Sequence, residues 1–496
     1  MNNTKKYQLP EVGEAEERLA GSLLSLWLIG MLTLFIIMPP YWALMDDHGH
    51  LLRASRGFDG LNLWQFILHY LQDDRGWGMF RPLYAAFIYL FYGTFWQSSA
   101  LAYLVIYLMN VAIFYGWGCL FEQTVQISLQ ARTNQTRVYR WLFVVFCFLF
   151  SSNYPMFFFA SLQERLILLF GLLAYGSFIH LMTRSEKGLI NSCLFFLGLY
   201  LAILSKATAV AFIPCFFIGF LLRWRETREK QYGWILLWLI VSGLCFSQIF
   251  LSARQGYTDG YQFQSVVDHF LHGGKRFFTP FWFATGTIIA LAIGRKLFRF
   301  KSSPTDFFLL LSWPFLVLCF LIVMLPWRAL INYYLIIPTG LFWAGCKIIG
   351  CILLALLCQR LTRIPVVLIV TLAAFGVSVP CARKVWQIAQ QHHTTRAAVE
   401  FLRTELSHDA KSDFMIRMPM PCIEAADAMS AYIGQPEKIK FLHDNDPFHQ
   451  LPSGGVRQLL VLNGECAEVP KDFEPRQQIF RQNPWVIYER NAEMKR

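Results

Sequence analysis

Long apolar runs, separated by short polar punctuation, dominate the chain. A helix of roughly 18 apolar residues or more is long enough to cross a bilayer core. Such runs fall at about 19–40, 100–121, 141–158, 164–183, 189–205, 207–222, 233–251, 277–294, 306–325, 330–358 and 364–381. The pattern predicts an α-helical polytopic membrane protein with about 11 transmembrane helices. The run 330–358 is long, and a break near Lys347 would split it; a single crossing keeps the basic segments on one side. The shorter aromatic run 82–97 is followed by "WQSS" and reads as a helix along the outer interface.

The punctuation is basic. "QARTNQTRVYR" (130–140), "RSEKG" (184–188), "RWRETREK" (223–230), "RKLFRFK" (295–301) and "QRLTR" (359–363) join Lys5 and Lys6 as cytoplasmic signals. Residues 1–18 are then a cytoplasmic segment. Residues 19–385 form the membrane domain, with a first outer loop at 41–99, and an odd number of crossings leaves the tail outside. Acidic "EVGEAEER" precedes the first run, which lacks a small-residue cleavage site, so it reads as a retained helix.

The tail, 386–496, changes character. "VWQIAQQHHTTRAAVEFLRTEL" is helical in period, with Gln390–His393 as a solvated face. "SDFMIRM", "KIKFLH", "RQLLVLNG" and "PWVIYER" read as short strands, giving a small extracytoplasmic α/β domain. Cys422 and Cys466 lie in it; an oxidising compartment would let them pair and a reducing one would keep them free.

Composition agrees. Of 496 residues, 55% are hydrophobic and only 15% charged, against about 25% in soluble domains. The net charge of +12 does not point to nucleic acid, because the basic residues are spread between apolar runs. Most of the 12 cysteines sit within those runs as small hydrophobes, and none forms a CxxC pair.

One stretch stands apart. "MDDHGHLLRASRGF" follows the first run and opens a loop carrying Asp46, Asp47, His48, His50, Arg53, Arg56, Asp59, Asp73, Asp74, Arg75 and Arg81. Charge at membrane depth is costly and usually paired or functional. Further cations stand at outer span edges: Lys206, Arg254, Lys275, Arg276 and Arg328. Acids beside such a ring suit an anionic lipid substrate. The cations would hold its phosphate, and a carboxylate would deprotonate an acceptor hydroxyl or amine. One displacement at the sugar carbon inverts its configuration.

At these residues the chain resembles the GT-C superfamily of membrane glycosyltransferases, which use polyprenyl-linked sugars on the outer or luminal side. Bacterial lipid A aminoarabinose transferases and protein O-mannosyltransferases have the most similar patterns. "MDDHGHL", "FRPLYAAFIYLFYGTFWQSSALAYLVIYLMNVAIFYGWG", "SLQERLILLFGLLAYGSF", "LAILSKATAVAFIPCF" and "WRALINYYLIIPTGLF" carry the resemblance, in family order, over roughly 19–385. It implies that Asp46 or Asp47 is the catalytic base, with Asp46 matching the family's invariant acid. It makes Lys206, Arg328 and Arg81 contacts of the donor phosphate. His48, His50, Arg53, Glu164 and Arg165 are further substrate-binding candidates, although neighbours Glu164 and Arg165 also suit a mutual ion pair.

The chain departs from the family at Ile167, where an acid is usual, and at Gly49, where the aminoarabinose enzymes have arginine. The tail does not resemble TPR repeats. No cofactor is expected; "DDHGH" contains divalent-metal ligand types and leaves a divalent ion as the alternative, although a glycine-containing loop gives them no fixed geometry. The implied partners are a polyprenyl-phosphate-sugar donor and a glycan, lipid or protein acceptor, at a bacterial inner membrane with the site facing the periplasm. A lipid-linked sugar flippase or an O-antigen polymerase or ligase remains the alternative.

Overall fold

The computed structural model describes residues 47–76, 80–130, 133–149, 162–183, 188–252, 274–298, 302–324, 337–361, 366–408, five strands of the tail, and scattered positions among 18–38, 156, 160 and 300. The helices are α1 (Asp47–Ser55), α2 (Leu63–Gly76), α3 (Pro82–Phe95), α4 (Ser99–Leu129), α5 (Thr133–Leu149), α6 (Glu164–Thr183) and α7 (Gly188–Ser205). A 3-10 turn (Ala207–Ala211) leads into α8 (Phe212–Thr227), followed by α9 (Lys230–Ser252), α10 (Gly274–Leu297), α11 (Pro304–Met324), α12 (Ile337–Leu361) and α13 (Val366–His408).

Among the described residues, five segments are long and apolar enough to cross a membrane: Ser99–Leu129, Glu164–Thr183, Gly188–Ser205, Ala207–Thr227 and Pro304–Val323. The chain is an α-helical polytopic membrane protein. Its core is aromatic. Trp117 packs edge-on against Trp313 and Phe342, with ring centroids 5.9 Å and 5.1 Å away. Both buried indole N–H groups are satisfied, by Leu168 O at 3.0 Å and Thr124 Oγ1 at 3.1 Å, as a dry interior requires. Helices α6 and α7 approach closely. A Cβ on Gly198 would stand 2.6 Å from Ala174 N and 2.9 Å from Phe170 O, so only glycine fits there.

The described parts of three basic turns, around 130, 226 and 302, meet at one end of the bundle. Ser128 Oγ donates to Asp306 O at 2.6 Å, and Thr305 N donates to Glu226 Oε1 at 3.0 Å. These bonds tie the end of α4, the end of α8 and the start of α11 together.

The opposite end carries a second hydrophobic cluster built from Leu51, Phe66, Tyr84, Tyr103, Leu166 and Leu402, among others. It joins α1–α3 to the starts of α4 and α6 and to the far part of α13. The charged outer loop expected from sequence is therefore largely helical. Helix α2 begins with a reciprocal cap, Gln65 N to Asn62 Oδ1 and Asn62 N to Gln65 Oε1, each 3.0 Å. It then buries Phe66, Ile67 and Tyr70 at helical spacing. Before it, Gly57–Gly60 forms a left-handed turn, with φ of 53° at Phe58 and 56° at Asp59. That conformation is unfavourable for L-residues. It is held by burial of Phe58, stacked 4.6 Å from Tyr89. Helix α3 occupies the run expected at the interface and buries Tyr84, Ala85, Ile88, Phe91 and Tyr92.

At the C-terminal end one reading stands and another changes. Helix α12 runs from Ile337 to Leu361 without a break at Lys347. The last span and the tail's helix form one helix of 43 residues, about 65 Å long at 1.5 Å per residue. A bilayer core of about 30 Å leaves much of α13 outside it. His392 on α13 is buried, 5.8 Å from the ring of Tyr103. The supposed solvated face is instead a packed one here, because α13 lies against the head of α4; His393, next in the chain, is exposed.

The tail forms a five-stranded sheet in the order β2-β1-β3-β5-β4, from β1 (Phe414–Arg417), β2 (Ile439–Leu442), β3 (Arg457–Asn463), β4 (Gln477–Gln482) and β5 (Trp485–Arg490). Strand β1 pairs in parallel with β2 and β3; β5 pairs antiparallel with β3 and β4. Ile487 of β5 is buried in the same cluster as Ala398, Val399 and Leu402 of α13, which seats the sheet on the end of the helix.

Candidate functional site

Of the residues singled out in the sequence, Asp46, Arg254, Arg328, Cys422 and Cys466 lie outside the described residues, as do the side chains of Asp47, His48, Arg75, Lys275 and Arg276. Asp47 is the first residue of α1, where the helix dipole favours a negative charge. One turn on, His50 is buried, with Nε2 3.3 Å from Tyr84 Oη and its ring 5.3 Å from that of Tyr92. Helix α1 is thus fixed against α3 directly after the acidic pair.

Arg53 reaches Asp73 on α2, Nη2 to Oδ2 at 3.4 Å, and His69 approaches the same carboxylate at 3.9 Å. Both partners of the Arg53 contact are well exposed, so it contributes at most about 1 kcal/mol. Arg81 differs. It caps α3 just before Pro82 and donates from Nε and Nη2 to Asp74 at 3.0 Å and 2.5 Å. Its guanidinium lies 5.8 Å and 5.4 Å from the ring centres of Tyr70 and Tyr84. The sequence marks Arg81 as a phosphate contact, whereas in this structure its charge is met by a buried carboxylate.

Glu164 and Arg165 open α6, and both are buried. They do not pair with each other; consecutive helical residues point to different faces. Glu164 Oε1 accepts from Lys206 Nζ instead. Lys206 is the extended residue, φ −161°, that links α7 to the following 3-10 turn. The two helix ends therefore meet through a buried ion pair at the end of the bundle opposite the basic turns.

Arg165, fully buried, donates from Nε to Asn110 Oδ1 at 3.0 Å, from Nη1 to Ala160 O at 3.0 Å and from Nη2 to Met156 O at 2.6 Å. Asn110 Nδ2 also donates to Met156 O at 2.6 Å. These acceptors are neutral, and they pin the connection before α6 onto α4. Ile167 is buried in the apolar core.

The structure thus brings His50, Arg81, Glu164, Arg165 and Lys206 to the same end of the bundle, around one cluster that includes Tyr84 and Leu166. Asn110 and Asp74 carry no role that the sequence patterns predict. A lone Asn inside the apolar run "YLMNVAIF" was the available signal for the first. Among the described residues, no group of three or more His, Cys, Asp and Glu side chains is placed to hold a metal.

The arrangement offers a lysine and an arginine buried at helix ends beneath a helical outer layer. Such a setting strengthens charge-assisted bonds to an anion.

No family model matches the chain, and no curated protein matches it. Among solved structures, that of ArnT from Cupriavidus metallidurans in the apo state is similar over 96% of this chain and 99% of its own, with a TM-score of 0.49 and 11% sequence identity.

Proposed function

We propose that the chain is an inverting glycosyltransferase of the GT-C type. It moves a sugar from a polyprenyl-phosphate donor to a glycan, lipid or protein acceptor on the outer face of a bacterial inner membrane. One observation carries the reading. Lys206, Glu164 and Arg165 gather at the end of the bundle covered by the helices that follow Asp46 and Asp47, and the described parts of three basic turns lie at the other end. By the distribution of basic residues, the covered end faces away from the cytoplasm. The ordered sequence motifs that resemble the family supply the chemistry.

In this reading Asp46 or Asp47 takes the proton of the acceptor as it attacks the anomeric carbon. The carbon–oxygen bond to phosphate breaks, and its electron pair stays on the phosphate. Lys206 and Arg328 stabilise the charge that develops there. Arg81, held by Asp74, fixes the outer layer as a positioning residue. Arg165 holds the connection before α6 in register with Lys206.

The test is transfer of labelled sugar from an undecaprenyl-phosphate donor to an envelope-lipid extract by the purified protein in liposomes. Asp46→Asn and Asp47→Asn are assayed beside the wild type. Loss of a general base lowers the rate by about 100-fold or more. Full activity in both variants, with normal insertion, would refute the mechanism. Movement of the lipid across the bilayer without transfer would assign the chain to the flippases.

A further inference from the structure

We propose that Glu164 is a specificity-determining residue that keeps the site from retaining its own phosphate product. The inference rests on the glycosyl-transfer reading above. The lysine assigned to the donor phosphate already carries a carboxylate. Glu164 and Lys206 are 42 positions apart, stand on different helix ends, and are 3% and 7% exposed. A carboxylate in that position weakens anion binding to the same ammonium.

The charge of the ligand changes during the reaction. The donor is a phosphodiester with a single negative charge. Transfer breaks the bond between the sugar's anomeric carbon and the phosphate oxygen, which keeps the electron pair. The acceptor's proton goes to the outer-loop carboxylate. The lipid is left as a phosphomonoester, whose charge near pH 7 is about −1.5 to −2. Lys206 alone would attract this product more strongly than the donor it came from, and the site would fill with product. Glu164 repels each added unit of charge as Lys206 attracts it. The pair therefore offsets the gain and leaves donor and product on similar terms.

The probes are undecaprenyl phosphate and its methyl diester, a singly charged stand-in for the donor, bound to the purified protein in nanodiscs. In the wild type the two dissociation constants fall within about threefold of each other. In Glu164→Gln the preference shifts toward the monoester by about tenfold, the effect of removing one nearby charge. An unchanged ratio in Glu164→Gln overturns the inference. If that variant does not accumulate, the wild type decides: a monoester preference of about tenfold or more overturns it. Failure of the wild type to bind either probe removes the glycosyl-transfer reading itself, and the inference with it. A wild type that binds both and transfers sugar, with an unshifted Glu164→Gln, removes the inference alone.

Discussion

Arg81 and Asp74 hold each other through two parallel hydrogen bonds, of 3.0 Å and 2.5 Å, across the connection between α2 and α3. Both side chains are largely buried, 14% and 4% exposed. Replacing Arg81 by alanine strands the Asp74 carboxylate. Breaking a buried pair from one side costs about 3–5 kcal/mol, so Arg81→Ala should lower the melting temperature in detergent clearly. Arg81→Lys should recover little, because an ammonium cannot make the two-pronged contact. An unshifted melting temperature in Arg81→Ala would rule out this structural role.

The same pair predicts how stability responds to alkali. Burial opposes the charge on Arg81, but the hydrogen bond and charge of Asp74, with Tyr70 and Tyr84, outweigh it and hold the guanidinium above its ordinary, already strongly basic value. A group raised in the folded state stabilises fully below its unfolded value and loses that contribution only as pH rises through the folded one. Both lie beyond the working range. The gap in melting temperature between wild type and Arg81→Gln should therefore stay constant from about pH 7 to about pH 10. A gap that closes across that interval would contradict the assignment.

The approach of α6 to α7 gives a purely steric prediction. A methyl group on Gly198 meets main-chain atoms of Ala174 and Phe170 at 2.6 Å and 2.9 Å, and backbone cannot rotate away as a side chain can. Gly198→Ala should cost about 1–3 kcal/mol. Gly286 on α10 is the control, since a Cβ there meets nothing within 4 Å. Gly286→Ala should be neutral or stabilise by up to about 1 kcal/mol through helix propensity. Equal melting temperatures for the two variants would show that the helices separate freely.

The five spans found among the described residues were legible because bilayer thickness fixes their length, and no long-range information is needed to read it. The outer layer was legible only in part. Its charges drew attention, yet they masked α2, whose cap at Asn62 and Gln65 and buried spacing from Phe66 to Tyr70 were present in "NLWQFILHY". Strand β4 escaped because "QQIFRQ" carries only Ile479 and Phe480 as apolar residues, too few to set a period of two. The contacts of the site were the least legible. Arg165 bonds to carbonyl oxygens of Met156 and Ala160, which any residue supplies. Glu164 meets Lys206 only after an entire helical hairpin has folded, and no spacing rule reaches that far.

That late pairing separates stability from catalysis. Lys206→Met leaves Glu164 buried at the head of α6 without its ammonium, and should destabilise the fold by about 3–5 kcal/mol. Adding Glu164→Gln removes the stranded charge. An apolar or neutral replacement of both partners is often close to neutral, so the double variant should melt well above Lys206→Met. On the proposed function it should nonetheless stay inactive in sugar transfer, because that reading leaves no ammonium for the phosphate. Melting curves and transfer rates on the same preparations test both halves. A double variant no more stable than Lys206→Met would mean the two charges do not depend on each other. A double variant that regains transfer along with stability would mean Lys206 serves the fold alone.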